Sequence, residues 1–385
     1  ESVDPVNRNN GDDKHLEQAK AIFQFVNDSE GGWTSPKQII RRANPEDPYS
    51  PIGVYATERI DAGEVLAHVP WDSIIKSEHP DDDSIQLPCR LVHILARELR
   101  LGGDSKYGPY VEYLNDESTA QIPSSWTSDA QRLLLELLDH EDHFPPKKPV
   151  HWLQKGRQRC MRFTEPPDEF FYNAVLLIIQ RSDDALMIPA YDSYNHRNGK
   201  WTNTKTKCVD KEYHETVAIQ TIQPGEQIYL SYNFCEECPG REHEYGTAEI
   251  LRDYGFVESF PQRWHFMEED WHFNVDEDDD GNLVLTWDDG EWRPDESDED
   301  EMEAARNWFQ MQIGRLRSAK NVVWNKYYNH LLDGSIPQYQ WDIIWEFVDA
   351  NLVAMQLALE SLEPPQEDKE DESHEDELVD ATTDI

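Results

Sequence analysis

Positive charge is scarce in this sequence: 35 Lys and Arg stand against 78 Asp and Glu, for a formal net charge of −43. The imbalance is uneven. Residues 268 to 303 carry eighteen acids and one Arg, and residues 366 to 385 carry ten acids and one Lys. Setting both aside leaves a body still near −17. Such a body repels phosphate backbones, which speaks against direct nucleic-acid binding, and it favours basic, lysine-rich protein segments as partners. The acidic tail reads equally well as a solvated, disordered run that aids solubility.

Cysteine is sparse too. Five residues (Cys89, Cys160, Cys208, Cys235, Cys238) are too few, and odd in number, for a disulfide scaffold of this length, so a reducing compartment is the simpler assumption. No apolar run approaches the ~20 residues a bilayer-spanning helix needs, so no membrane contact is expected. No internal repeat is evident. The chain begins at Glu1 rather than Met, and the Asn27-Asp-Ser triplet alone does not establish secretion. The compartment stays open: cytoplasm or nucleus is favoured, with a plastid possible if a targeting peptide was removed.

What remains is ample for folding. At 385 residues the chain suits two or three domains, and thirteen Trp, sixteen Tyr and thirteen Phe provide rigid walls for cores and pockets. Residues 14 to 28 place Leu16, Ala19, Ile22, Phe23 and Val26 at helical spacing, predicting an opening helix within residues 1–30. From Gly31, turn residues punctuate β-prone runs, and "IGVYATERI", a DAGE turn and "VLAHVP" predict a hairpin-like pair. Residues 88 to 180 read as mostly helical; "DEFFYNAVLLIIQR" places Asp168 and Glu169 where a helix N-terminus favours acids. Strand signals return in "ALMIPAYD", "ETVAIQTI" and "QIYLSY", the last two separated by a Gln-Pro-Gly-Glu turn. An acidic connector over 261–303 follows, with one β-prone patch, "NLVLTW". Amphipathic helices are expected over 304–363 and a disordered acidic tail over 364–385.

Between these strands, "AYDSYNHRNG" is too polar for a core and too aromatic for a plain turn. Together, three separated segments carry a resemblance. "SPIGVYATERIDAGEVLAHVP" resembles the opening β segment of SET-domain methyltransferases, "YDSYNHRNG" their Asn-His motif, and "IQPGEQIYLSYN" with "TAEILRDYGFVE" their closing Tyr motif. The long insert and C-terminal helices resemble the branch of plant Rubisco lysine methyltransferase and actin histidine methyltransferase. The likeness covers about residues 33 to 260.

That resemblance implies an α+β fold: a β-rich SET domain over 31–260 with a helical insert at about 83–185, then a small C-terminal helical region. It implies S-adenosylmethionine as cofactor and a protein nitrogen as methyl acceptor. Tyr232 would be the catalytic residue, its phenol beside the transferring methyl. Asn195 and His196 would hold the cofactor, and Arg181 would grip its carboxylate as a fork. Gly53, Val54 and Tyr55 would offer it backbone, and Tyr254 and Phe256 would lie near its adenine. Tyr191 and Tyr194, with Tyr232 and Tyr254, would wall the substrate channel. A monomer is expected.

The sequence departs from the family in two places. Ser50-Pro51-Ile52-Gly53 stands where a Gly-x-Gly is usual, and about ten residues are inserted after Asn233, with Gly246-Thr247 in place of Ser-Asn. Cys235 and Cys238 in that insertion read as reduced loop thiols, and no metal is expected. Their spacing also suits zinc, with Cys208 and His243 completing four ligands, or a redox pair. A protein-lysine methyltransferase is therefore the leading expectation. Histidine methylation and a catalytically silent module binding basic proteins are the alternatives.

Overall fold

The computed structural model describes residues 11–363, apart from 48–49, 78–87, 117–121, 140–143, 152, 162–166, 184, 210, 234–244, 267–270, 288–293 and 295–296. Cys235, Cys238, His243 and the acidic tail thus lie outside the described residues.

Helix α1 (Gly11–Asp28) forms as its spacing predicts, with Ala19, Ile22 and Val26 buried and Leu16 and Phe23 packed beside them. Short strands follow: β1 (Trp33–Thr34), β2 (Gln38–Arg42), β3 (Ile52–Ala56), β4 (Val65–Pro70) and β5 (Ile75–Lys76). The hairpin expected from β3 and β4 does not form. β3 pairs antiparallel with β2, while β4 joins a separate sheet. Its DAGE turn is real, with Glu64 N–H on Asp61 O and Gly63 at φ 89°. The strand leaving it is captured by distant partners that bury both faces.

The helical insert appears as α2 (Cys89–Leu101), α3 (Gly108–Asp116), α4 (Ser128–Leu137), α5 (Gln154–Cys160) and α6 (Glu169–Arg181). Asp168 caps α6 as expected, its carboxylate accepting from Phe171 N at 3.0 Å. α2 packs along α6. A disulfide between Cys89 at the start of α2 and Cys160 at the end of α5 corrects the expectation of reduced thiols. Sequence spacing gave no cue, because the separation of 71 residues is closed by packing of α2 on α5. A bridged pair is what oxidising surroundings preserve, which counts against the assumption of a reducing compartment.

The chain returns through β6 (Ser182–Asp183), β7 (Leu186–Met187), β8 (Asn195–His196), β9 (Thr204–Val209), β10 (Tyr213–Ala218) and β11 (Tyr229–Leu230). β1, β4, β10 and β9 form one antiparallel sheet, and β5, β7 and β6 another. β8 and β11 pair in parallel, Asn195 opposite Tyr229 and His196 opposite Leu230. The Gln-Pro-Gly-Glu turn before β11 closes with Glu226 N–H on Gln223 O, Pro224 preceding a positive-φ Gly225 as a type II turn favours.

After α7 (Thr247–Tyr254) comes a second correction. The segment expected as an acidic connector folds from 262 to 287 as a three-stranded antiparallel sheet, β12 (Gln262–Phe266), β13 (Trp271–Glu277) and β14 (Leu283–Trp287). Large apolar residues recur there with period two, and Trp264 faces Phe273 while Phe266 faces Trp271 across the ladder. The acids that hid this pattern cluster toward the β13–β14 turn, where Asp278, Asp279 and Asp280 are exposed. Two long helices, α8 (Glu299–Leu332) and α9 (Gln338–Ser361), complete the chain.

Two apolar cores result. One lies among α1, the helical insert and strands drawn from β2 to β11; the other joins β12–β14, α4, α8 and α9. Ile344, Phe347, Val348 and Met355 of α9 are wholly buried in the second, as a core stripe predicts. Burying each such side chain contributes roughly 1.5–3 kcal/mol. Among the described residues no helix is long and apolar enough to cross a membrane.

Candidate functional site

The parallel pairing of β8 with β11 sets the site. Asn203 braces β11 from outside, its amide donating to Gln227 O and its oxygen accepting from Tyr229 N. With β11 held, residues 231–233 emerge beside residues 195–198. Asn195 turns one way and donates its amide to Ile52 O at 2.9 Å, at the start of β3. His196 turns the other way.

Gly53 is required here for space. A Cβ on it would lie 2.3 Å from Gln227 Nε2 and 2.9 Å from Asn195 Nδ2. The absence of a side chain lets the Gln227 and Asn195 amides close against the Gly53 backbone. Val54 and Tyr55 differ from the expectation that they offer backbone. The Val54 carbonyl accepts from Ile228 N at 2.8 Å, and Tyr55 lies between Ile39 on β2 and a bridge to Gln227. The Tyr55 ring is buried under the Arg41 guanidinium, 3.6 Å from its centroid.

Tyr232 is fixed at both ends. Its N–H donates to His196 Nδ1 at 2.9 Å, and its phenol donates to the carbonyl of Tyr194 at 2.9 Å. Around it stand Tyr254 (centroids 4.8 Å apart) and His196 (5.0 Å), with Phe256 6.0 Å from His196. Tyr232, Tyr254 and Phe256 are half-buried, so the cluster keeps an open side. Tyr194 itself is not a wall. Its ring is 0 % exposed, edge-on to Phe23, with its hydroxyl donating to Gln38, and burial pushes that phenol's pKa up. Only its carbonyl reaches Tyr232.

Arg181 ends α6 and faces a protein carboxylate. Its guanidinium donates to Asp192 O at 3.3 Å and lies 3.6 Å from Asp192 Oδ2, which also accepts from the Tyr110 hydroxyl. Tyr191 packs edge-on to His214 at 4.9 Å, and His214 Nε2 sits 3.4 Å from Asp183. The structure thus gathers Gly53, Asn195, His196, Tyr232, Tyr254 and Phe256 into one constellation. Arg181 and Tyr191 border its Asp192–Tyr194 side through their own partners.

Sequence reasoning missed Glu258. This carboxylate is 3 % exposed, yet it accepts from His196 Nε2 (2.6 Å), Asn198 Nδ2 (2.7 Å), Asn233 Nδ2 (3.2 Å) and Thr247 Oγ1 (2.5 Å). The only signal was an acid in an aromatic and apolar context, "GFVESF". Thr247 also explains a departure from the family, since it supplies the fourth donor. Gly246 before it is needed because a Cβ there would lie 2.4 Å from Arg263 O.

Helix α7 adds a charged group behind the site. Glu249 accepts from Gly246 N at 3.0 Å, and burial pushes its carboxyl up to about 7. Beside it Arg252 forks onto Asp253, which also accepts from the Tyr245 hydroxyl at 2.6 Å. A groove of about 520 Å³ between α4 and α8, lined in part by Glu136, Phe144, Met311 and Arg315, shares no residue with the site.

Residues 52–233 match the family model of the SET domain, and the fold is α+β. Among solved structures it is similar to Rubisco LSMT bound to AdoMet, over 89% of this chain and 92% of that chain, with a TM-score of 0.51 and 16% identity. The LSMT SET domain bound to methyllysine and AdoHcy covers 91% of this chain and 94% of its own, with a TM-score of 0.48 and 15% identity. At such identities the likeness is one of fold. No curated protein sequence matches the chain.

Proposed function

We propose that this protein is an S-adenosylmethionine-dependent N-methyltransferase whose acceptor is a lysine side chain of a protein. The observation that carries the reading is the doubly anchored Tyr232 beside Asn195 and His196 in a SET domain. Structures similar in fold are complexes with AdoMet, or with methyllysine and AdoHcy.

The residues suit such a cofactor. The Asn195 and Gln227 amides meet over the Gly53 backbone as polar groups at the start of β3, and the half-buried rings of Tyr254 and Phe256 offer apolar faces. S-adenosylmethionine, when bound, supplies an electrophilic methyl group on a sulfonium. Its carboxylate is not assigned to Arg181, because Asp192 already engages that guanidinium.

Tyr232 accounts for acceptor handling. Its proton is committed to Tyr194 O, so the phenolic oxygen keeps lone pairs to accept from the N–H of an incoming amine. A lysine must also lose a proton before it reacts, and a desolvated site lowers its pKa from ~10.4. Alignment of this kind can supply roughly 7–11 kcal/mol of a barrier in favourable cases. The exposed acids at 278–280 would attract a basic substrate segment.

The test is incubation with methyl-labelled S-adenosylmethionine and lysate of the source cells, followed by mass spectrometry of the labelled residue. Label on lysine supports the reading and label on histidine replaces the acceptor. Cofactor binding without transfer to any protein leaves a SET scaffold that only binds.

A further inference from the structure

Glu258 ends the segment that carries Tyr254 and Phe256, and its carboxylate ties the start of that segment to the Asn-His loop and to the residue after Tyr232. From the Asn-His segment it receives His196 Nε2 and Asn198 Nδ2; from the closing Tyr segment, Asn233 Nδ2; and from the first turn of α7, Thr247 Oγ1. Its own main-chain carbonyl accepts from Gln262 Nε2 at 2.7 Å, tying it to β12. Ser231 donates to Asn198 Oδ1 at 2.7 Å and lies 3.0 Å from Asn233 Oδ1, which turns both amide NH₂ groups toward the carboxylate. A buried carboxylate without enough donors is costly, and here four converge on it.

The imidazole between Glu258 and Tyr232 has its proton placed by these partners. His196 Nδ1 faces a main-chain N–H, so it must accept; the ring proton therefore sits on Nε2 and is donated to Glu258. The side chains of His196 and Glu258 are 2 % and 1 % exposed. No ring nitrogen of His196 is left for a ligand.

We propose that Glu258 is a positioning residue that acts through His196. By fixing the His196 tautomer and ring it holds the Tyr232 main chain, and through Thr247 it sets the start of the helix that carries Tyr254. The proposal concerns how the site is held, and its consequence for turnover rests on the methyltransferase reading above.

The test uses the full chain with Glu258→Gln, read by the ¹⁵N shifts of the His196 ring, by hydrogen exchange of the Tyr232 amide, and by turnover. The neutral amide brings two donors where four already converge, so His196 loses its strong acceptor. Expected are a changed His196 tautomer balance and Tyr232 exchange at least about tenfold faster, the scale of one charge-assisted hydrogen bond, with Leu230 exchange unchanged. Turnover should fall by a similar factor while the KM for S-adenosylmethionine moves less than about threefold. If Glu258→Gln fails to fold, Thr247→Val removes a single donor. It should keep the His196 tautomer and speed Tyr232 exchange by a smaller factor. A folded Glu258→Gln protein with unchanged His196 shifts and Tyr232 exchange overturns the proposal, as does unaltered Tyr232 exchange in Thr247→Val where that variant must serve. If wild type transfers no methyl group but the Tyr232 amide loosens, the positioning role stands and the methyltransferase reading fails.

Discussion

Tyr232 hangs its phenol on the carbonyl of Tyr194, 2.9 Å away across 38 residues of sequence. This bond orients the Tyr232 hydroxyl at the centre of the site. Replacing Tyr232 by Phe should leave the stack with Tyr254 intact and S-adenosylmethionine affinity within a few-fold by calorimetry. Turnover of labelled methyl groups should drop about tenfold or more, since alignment of the acceptor is lost. Unchanged turnover would remove Tyr232 from the chemistry.

Gly53→Ala probes the two amides that close over this glycine. The new methyl would press on Gln227 and Asn195 side-chain amides, both of which have other partners: Gln227 Oε1 accepts from Tyr229, and Asn195 donates to Ile52. The expected result is a folded protein whose cofactor affinity is weakened about tenfold or more, the cost of roughly one displaced hydrogen bond. Calorimetric titration measures it, and wild-type affinity would mean that the placement of the Asn195 and Gln227 amides does not matter to the cofactor.

Much of this site was legible before the coordinates. Asn195, His196, Tyr232, Tyr254 and Phe256 sit in short motifs whose residues keep their neighbours in sequence and in space. Glu258 was not legible, because its role comes from four donors drawn from distant segments. Tyr194 misled for a related reason: a Tyr in a polar loop gives no sign that Phe23 and Gln38, from the first helix and β2, close over it. The helices were read well from periodicity. The β12–β14 sheet was masked by acids interleaved with its aromatic residues, and β3 and β4 parted because strand partners are chosen by tertiary packing.

Glu249 gives the chain a pH dependence. Its folded carboxyl titrates at about 7 against an ordinary 4.5, because burial disfavours its charge. Between those values the folded protein keeps a proton the unfolded chain releases, so this stabilisation is complete below about pH 4.5 and is lost as pH rises through about 7. The scale is about 3 kcal/mol. In urea titrations from pH 5 to pH 8, Glu249→Gln should lose less stability with rising pH than wild type. Parallel slopes for the two proteins would count against a raised carboxyl.

The Cys89–Cys160 bridge predicts an intact mass two hydrogens lighter than the reduced chain, and a peptide linking 89 to 160 in a non-reducing digest. Closing a loop with a separation of 71 residues limits the unfolded chain by up to about 4 kcal/mol. Reduction or Cys160→Ser should lower Tm accordingly by calorimetry. Free thiols at both positions in freshly isolated protein would refute the bridge.

Helix α7 serves two masters. Ala248 and Leu251 are sunk in the apolar body built by β12–β14, α8 and α9, while Thr247 and Tyr254 at its two ends reach the reactive loops. The C-terminal third is therefore no detachable appendage but the footing on which one wall of the site rests. A chain trimmed after residue 260 would keep every motif and forfeit the footing of α7.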